Sequence, residues 1–216
     1  MTHSSRATVA ALVAVMVMVV TASAASASAA AASRTHASTV EFRPVLAQLP
    51  AAPTTSTTMT PADRVDAAVK IATCDVAAVQ QLFVLPTTKW PTAKPEECVV
   101  YPDLSGGQGA SRYYLGPAAV TTRDIERARA EFMAGQGWTV RFDLTKSGSR
   151  DWDALAEQQF HEQVAVTASG RVVSAPTIQP SDETFQSFDG TAVISGAFTA
   201  KQAHGLALLA SRSKRR

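Results

Sequence analysis

Trp138-Thr139-Val140-Arg141-Phe142-Asp143-Leu144 alternates apolar and polar residues without a break, the period of a strand with one buried face. Trp138, Val140, Phe142 and Leu144 are expected to point into a core. Upstream, Thr121 or Thr122 can cap a helix with Ile125, Ala128 and Phe132 on one face and charged residues from Asp124 to Glu131 largely around the other, closed by Gly135 and Gly137. Downstream, Ser147 or Ser149 can cap a second helix carrying Trp152, Leu155, Ala156 and Phe160. Gln163 to Ala168 reads as a strand, Ser169-Gly170 as a tight turn and Arg171 to Ser174 as the return strand. Past a polar bend from Gln179 to Gly190, Ala192 to Ser195 makes another strand. Thr199-Ala200-Lys201-Gln202 is then a capping box opening a helix with Ala203, Leu206, Ala207 and Ala210 on its apolar side. The sum is an α+β fold, a largely antiparallel sheet with helices packed on one face, preceded by a disulfide-tied irregular segment.

That preceding segment has its own grammar. Arg6, the apolar run Val9 to Val20 and the small-residue sites that follow read as a secretory signal peptide over 1–32, with an uncleaved anchor as the competing reading. The run is shorter than the ~20 residues a spanning helix needs, so no membrane span is expected once the leader is cleaved. Residues 33–59 have an Ala/Ser/Thr/Pro linker composition, interrupted by Val40-Glu41-Phe42-Arg43-Pro44-Val45, which alternates like a short strand able to dock on the body. Thr60-Pro61-Ala62-Asp63 starts a helix running to about Thr73. Residues 60–111 then continue through a proline-rich excursion to the glycine-rich joint Ser105 to Gly109. Cys74 and Cys98, the two cysteines of a chain bound for an oxidising compartment, are expected to form a disulfide; a thiolate metal site is the rival reading.

Without Arg6 and the cations of the 212–216 tail the body is mildly acidic, which gives no general nucleic-acid footprint. The basic tail could touch an anionic envelope polymer or lipid, or simply be a solvated end.

Several segments fall in an order that resembles the first large extracytoplasmic domain of SecD. They include Val40 to Val45, Tyr113-Tyr114-Leu115-Gly116-Pro117-Ala118, Val120-Thr121, Trp138-Thr139-Val140, Gly170-Arg171-Val172-Val173-Ser174-Ala175-Pro176 and Ile194-Ser195-Gly196-Ala197-Phe198-Thr199. The likeness is best over 112–211, the part matching the head subdomain of SecD and SecDF. It implies an α/β module outside the membrane that handles translocated chains, with exported polypeptides or Sec translocase components as partners. SecD continues from its last head helix into membrane helices, whereas here the helix gives way to Ser-Arg-Ser-Lys-Arg-Arg. The resemblance therefore carries a fold and a binding surface, not proton-coupled export.

Catalytic chemistry finds no foothold in the pattern. His36, His161 and His204 lack metal-ligand spacing, Asp151 and Asp153 read as a first-turn acidic bias, and Gly106-Gly107-Gln108-Gly109 lacks the Lys-Ser/Thr of a phosphate loop. No catalytic, cofactor or metal residues are nominated. The candidate polypeptide-contact residues are Trp90, Tyr113, Tyr114, Phe185 and Phe188, with Tyr101 beside them, because aromatic anchors bury large area with few rotors. A sheet edge that accepts a client strand is a second route. The expected function is a secreted, non-enzymatic polypeptide- or envelope-binding module accessory to export. The alternatives are a secreted hydrolase with an unusual site and a structural cell-envelope protein.

Overall fold

Val40–Leu49 is the strand around which the chain is organised. In the computed structural model the described residues are 39–51, 71, 73–75, 77, 94–103 and 111–211. They contain β1 (Val40–Leu49), β2 (Val99–Pro102), β3 (Arg112–Leu115), β4 (Val120–Thr121), β5 (Ile125–Met133), β6 (Gly137–Leu144), α1 (Lys146–Gln158), β7 (Val164–Ala168), β8 (Arg171–Ser174), β9 (Thr191–Phe198) and α2 (Ala200–Ser211). The class is α+β with antiparallel pairing, as expected, but the strands divide into two sheets. One runs β2-β3-β1-β7-β8 with β4 also on β1; the other runs β5-β6-β9. An isolated bridge from Asp103 to Val172 brings the outer strands β2 and β8 of the first sheet together.

β1 is thus a central strand and not an island in a linker. It pairs on one side with β7, from Val40↔Ala168 to Pro44↔Val164, and on the other first with β4 and then with β3. Proline is rare in a central strand because it donates no ladder hydrogen bond. Pro44 is accommodated where β1 changes partner, with its carbonyl accepting from the Gly116 N–H and a bulge following between Val45 and Ala47. A Cβ on Gly116 would lie 2.7 Å from the Pro44 ring, so this crossing needs glycine.

The expected helix after Thr121 is instead β5. The Thr121 cap is present, with the Asp124 carboxylate accepting from the Thr121 N–H at 2.8 Å, but it closes one 3-10 turn, Thr122–Asp124, and Ile125 is already extended. From Arg127 onward the chain also alternates, with Ala128, Ala130 and Phe132 registered opposite Phe142, Val140 and Trp138 of β6. Tertiary pairing with a strand that must bury one face overrides the helix propensity of Ala, Arg and Glu. Gly135 and Gly137, at φ +84° and +79°, turn the β5–β6 hairpin.

The cap of α1 is Thr145, whose side chain accepts from the Gly148 N–H, and not Ser147 or Ser149. Trp152, Leu155 and Ala156 are buried, while Phe160 lies past the helix end in a bridge to Ile178. The β7–β8 hairpin turns at Ser169-Gly170, both at positive φ. The Thr199–Gln202 capping box forms, and Ala203, Leu206, Ala207 and Ala210 are the buried side of α2. Phe42 sits at the centre, its ring edge-on to Phe142 of the second sheet and to Trp152 of α1, each at 5.3 Å.

The Cys74–Cys98 disulfide forms, with Cα atoms 5.2 Å apart and a sequence separation of 24. It joins a small cluster with Leu49, Ile71, Val100 and Tyr114. The expected 61–73 helix, apart from Ile71 and Thr73, lies outside the described residues, as do the leader and the tail.

Arg43 is fully buried. Its Nε donates to Glu41 at 2.8 Å, and its Nη1 donates to the carbonyls of Glu97 at 2.7 Å and Gly116 at 2.8 Å. Arg43→Met should cost about 3–5 kcal/mol in urea unfolding because it leaves Glu41 buried without its cation. Pairing it with Glu41→Gln should recover part of the loss. Gly148→Ala should cost about 1–3 kcal/mol, since its Cβ would meet the Asp124 carbonyl oxygen at 2.5 Å, a backbone atom that cannot swing away.

Candidate polypeptide-contact surface

The nominated aromatic residues do not share one surface. Tyr113 and Tyr114 are adjacent on β3 and so point to opposite faces. Tyr114, 0 % exposed, packs in the disulfide cluster, and Tyr113, 8 % exposed, packs with Val99, Leu115, Ala165 and Val172. Both faces of β3 are covered, so both tyrosines are core residues and neither offers a contact surface. Trp90 lies outside the described residues.

Phe185 and Phe188 are half-buried and turned back on the body. Phe188 lies against Trp152 at 5.3 Å, and Phe185 lies between Phe188 and Phe160 at 6.2 and 6.3 Å. Asp153 fixes this bend, its carboxylate accepting from the Ser187 hydroxyl at 2.7 Å and the Phe188 N–H at 2.9 Å. Asp153 is therefore a staple, and not a first-turn charge. Gln179 and Gln186 add a reciprocal pair of bonds across the same bend. His161 bonds the Asp182 carbonyl, and among the described residues no group of three or more His, Cys, Asp or Glu could hold a metal.

The exposed chemistry lies on the second sheet. Its inner face is covered by α1 and α2, and its outer face carries charge. Arg129 and Arg141 are registered directly opposite each other, and Asp143 accepts from both, at 3.0 and 3.1 Å. Phe132 and Trp138 meet edge-on at 5.7 Å, and Trp138 meets His204 of α2 at 5.1 Å. Sequence reading assigned Phe132 to the buried face of a helix and so missed this surface. The signal was present in the uncharged run Phe-Met-Ala-Gly-Gln-Gly-Trp around two glycines.

The chain is thus built of two antiparallel sheets and two helices, with Phe132 and Trp138 at the end of the β5–β6 hairpin. Over residues 99–212 the chain matches the SecDF P1 head subdomain, and it belongs to that family. It is 31% identical over 126 residues to the protein translocase subunit SecD of Streptomyces coelicolor, and 29% identical over 115 residues to that of Magnetococcus marinus. These spans are 55% and 51% of this chain but 21% of each relative, so the chain corresponds to about a fifth of either SecD. Among solved structures, a SecDF in a super-membrane-facing form aligns at 20% identity with a TM-score of 0.46, over 82% of this chain and 19% of that one. A SecDF described as a membrane component that enhances protein export aligns at 22% identity and 0.43, over 82% and 63%. Among the described residues no helix is long and apolar enough to cross a membrane.

The chain has three tyrosines, and burial raises the pKa of each above the usual value of about 10. After burial, Glu41 adds to the rise at Tyr101 while Arg43 opposes it, and Asp103 and Asp75 add to it at Tyr113 and Tyr114. A folded pKa above the unfolded one gives stability that is complete below about pH 10 and lost as pH rises through the folded values. Spectrophotometric titration should show less tyrosinate at the ordinary tyrosine pKa than the unfolded chain does, with the rise displaced to higher pH and accompanied by loss of far-ultraviolet circular dichroism. Early, non-cooperative ionisation of any tyrosine contradicts the burial.

Proposed function

We propose that this chain acts outside the cytoplasmic membrane as a non-enzymatic accessory of protein export, holding extended polypeptide by backbone pairing along β5. The observation that carries the reading is membership of the SecDF P1 head family over 99–212. The signal-peptide character of 1–32 supports the compartment. The topology supports this contact. β5 is nine residues long and is an outer strand of its sheet, with no strand paired on its far side among the described residues.

Nine residues extend roughly 30 Å, enough for a client to make several ladder bonds that read no side chains. Sequence-independent pairing suits a module that meets many different exported chains. Arg127, Arg129 and Glu131 on the same strand are charged residues of the kind that guard a sheet edge against association between copies.

A photo-crosslinking residue at Arg127 should capture an unfolded exported protein several-fold more than the folded form of the same protein. The same probe at Arg150, exposed on α1, should capture neither preferentially. Equal labelling from both positions, or equal labelling of folded and unfolded substrate, would sink the assignment.

A further inference from the structure

The Cys74–Cys98 bond ends beside the Arg43 clamp. Glu97, the residue before Cys98, gives the guanidinium a carbonyl acceptor at 2.7 Å, and Lys94 in the same turn gives another at 3.4 Å. Of the four acceptors described for Arg43, two therefore lie in the turn next to the disulfide, and the others are Glu41 and Gly116. The same turn reaches the connection from β3 to β4, where the Pro95 carbonyl accepts from the Ala118 N–H at 2.7 Å.

Among the described residues the turn has few anchors of its own. Lys94 and Glu96 are exposed, Pro95 and Glu97 are half-buried, and no strand includes them. Its own hydrogen bonds join Lys94 and Glu97 to each other. Cys74, by contrast, is fixed to the buried cluster of Leu49, Ile71, Val100 and Tyr114. Its N–H donates to the Ile71 carbonyl at 3.0 Å, and the Tyr114 hydroxyl donates to the same carbonyl at 3.4 Å. Cys74 also stands at φ +61°, in the left-handed region that a residue with a Cβ adopts at a cost and keeps only where its surroundings hold it. The disulfide thus transmits the position of this cluster to the turn that completes the clamp.

We propose that the Cys74–Cys98 pair is a redox switch on the central strand. With the bond formed, the 94–97 turn is seated on Arg43 and the first sheet is locked. With the bond reduced, the turn leaves and Arg43 keeps only Glu41 and Gly116. A fully buried guanidinium that loses half its acceptors is left with a charge that nothing compensates, so β1 opens locally around it. Closing the switch is a thiol–disulfide exchange. The thiolate of Cys74, the half-buried member of the pair, attacks a disulfide oxidant, and one sulfur of the oxidant leaves as thiolate. The Cys98 thiolate then attacks the Cys74 Sγ and releases the oxidant's second sulfur. Two electrons pass from the cysteines to the oxidant, and the two cysteine protons end on its sulfurs or in water. In an exported chain the central strand is then locked only after arrival in an oxidising compartment, and stays looser in a reducing one. That use rests on the export reading above, whereas the coupling of disulfide to clamp does not.

The test is amide hydrogen exchange on the full chain, oxidised with glutathione disulfide and then reduced with dithiothreitol. The Ala118 and Gly116 N–H groups donate to the carbonyls of Pro95 and Pro44. On reduction their exchange should accelerate at least about tenfold more than that of the amides of β6, the central strand of the second sheet. C74S/C98S should reproduce this pattern without reductant. In a double-mutant cycle read by urea unfolding, C74S/C98S should lower the folding equilibrium constant at least about tenfold less in an R43M/E41Q background than in wild type, because the clamp is already gone. Exchange that accelerates equally at Ala118 and in β6 overturns the proposal, since the bond then acts through the unfolded chain alone. Unchanged exchange at Ala118, or additive effects in the cycle, overturn it as well. If the combined variant does not fold, the exchange comparison on the unmutated chain decides. Crosslinking at β5 is read separately, so either proposal can fail while the other stands.

Discussion

Three separate stretches of chain converge on the guanidinium of Arg43. It is fully buried in the middle of β1, and it donates to the carboxylate of its own strand neighbour Glu41 and to the carbonyls of Glu97 and Gly116. Those carbonyls belong to the turn before β2 and to the connection from β3 to β4, segments whose irregular backbone has no ladder to satisfy it. A buried carbonyl without a donor costs about 1–3 kcal/mol, and a planar fork of five donors is the side chain able to reach several at once. The ion pair itself need add little net stability, since desolvation offsets its attraction. What it contributes is geometry. With Arg43 in place, the disulfide-tied turn and the Gly116 crossing can each sit in one position on β1.

β1 can carry that load because it is also where the layers meet. Phe42, the residue before Arg43, points the other way and touches Phe142 and Trp152, joining the first sheet to the second sheet and to α1. Alternation along a strand thus sends one residue to the apolar centre and the next to the polar clamp. A stretch of linker-like composition supplied the most connected strand of the fold. Its strand character was legible from Val40 to Val45, but its central place was not, because Pro44 argues locally for an edge.

The same contrast between local and tertiary information runs through the rest. The β7–β8 hairpin, β6 and the capping box of α2 were legible because turn chemistry and periodicity agree there. β5 was not, since Ile125, Ala128 and Phe132 satisfy a helical period while Ala128, Ala130 and Phe132 satisfy a strand period, and the cap at Thr121 is real in either case. The tyrosines were misassigned for a related reason. Arg112–Leu115 is buried at all four positions, so no alternation marks an inner and an outer face, and two aromatic residues in a row look like a surface when they are a strand packed on both sides. The exposed tip was missed because Phe132 had been assigned to a helix.

The second sheet holds its exposed end with modest means. Ala128 and Ala130 give β5 little apolar volume, and the buried side of α2 is itself three alanines and a leucine, so helix and strand approach closely but bury few methylenes per residue. Register must then be set elsewhere. Arg129 stands directly opposite Arg141, an arrangement that repels on its own. Asp143 resolves it by accepting from both, and Arg141 also reaches Thr191 on β9 at 3.2 Å, so one carboxylate and one hydroxyl tie all three strands on the solvent side. Each such contact at the surface is worth well under ~1 kcal/mol, yet a slip by one residue would place Ala130 in the charge ladder and turn Arg129 toward α2. The penalty for that slip, more than the attraction of the ladder, keeps Phe132 and Trp138 side by side at the end of the hairpin.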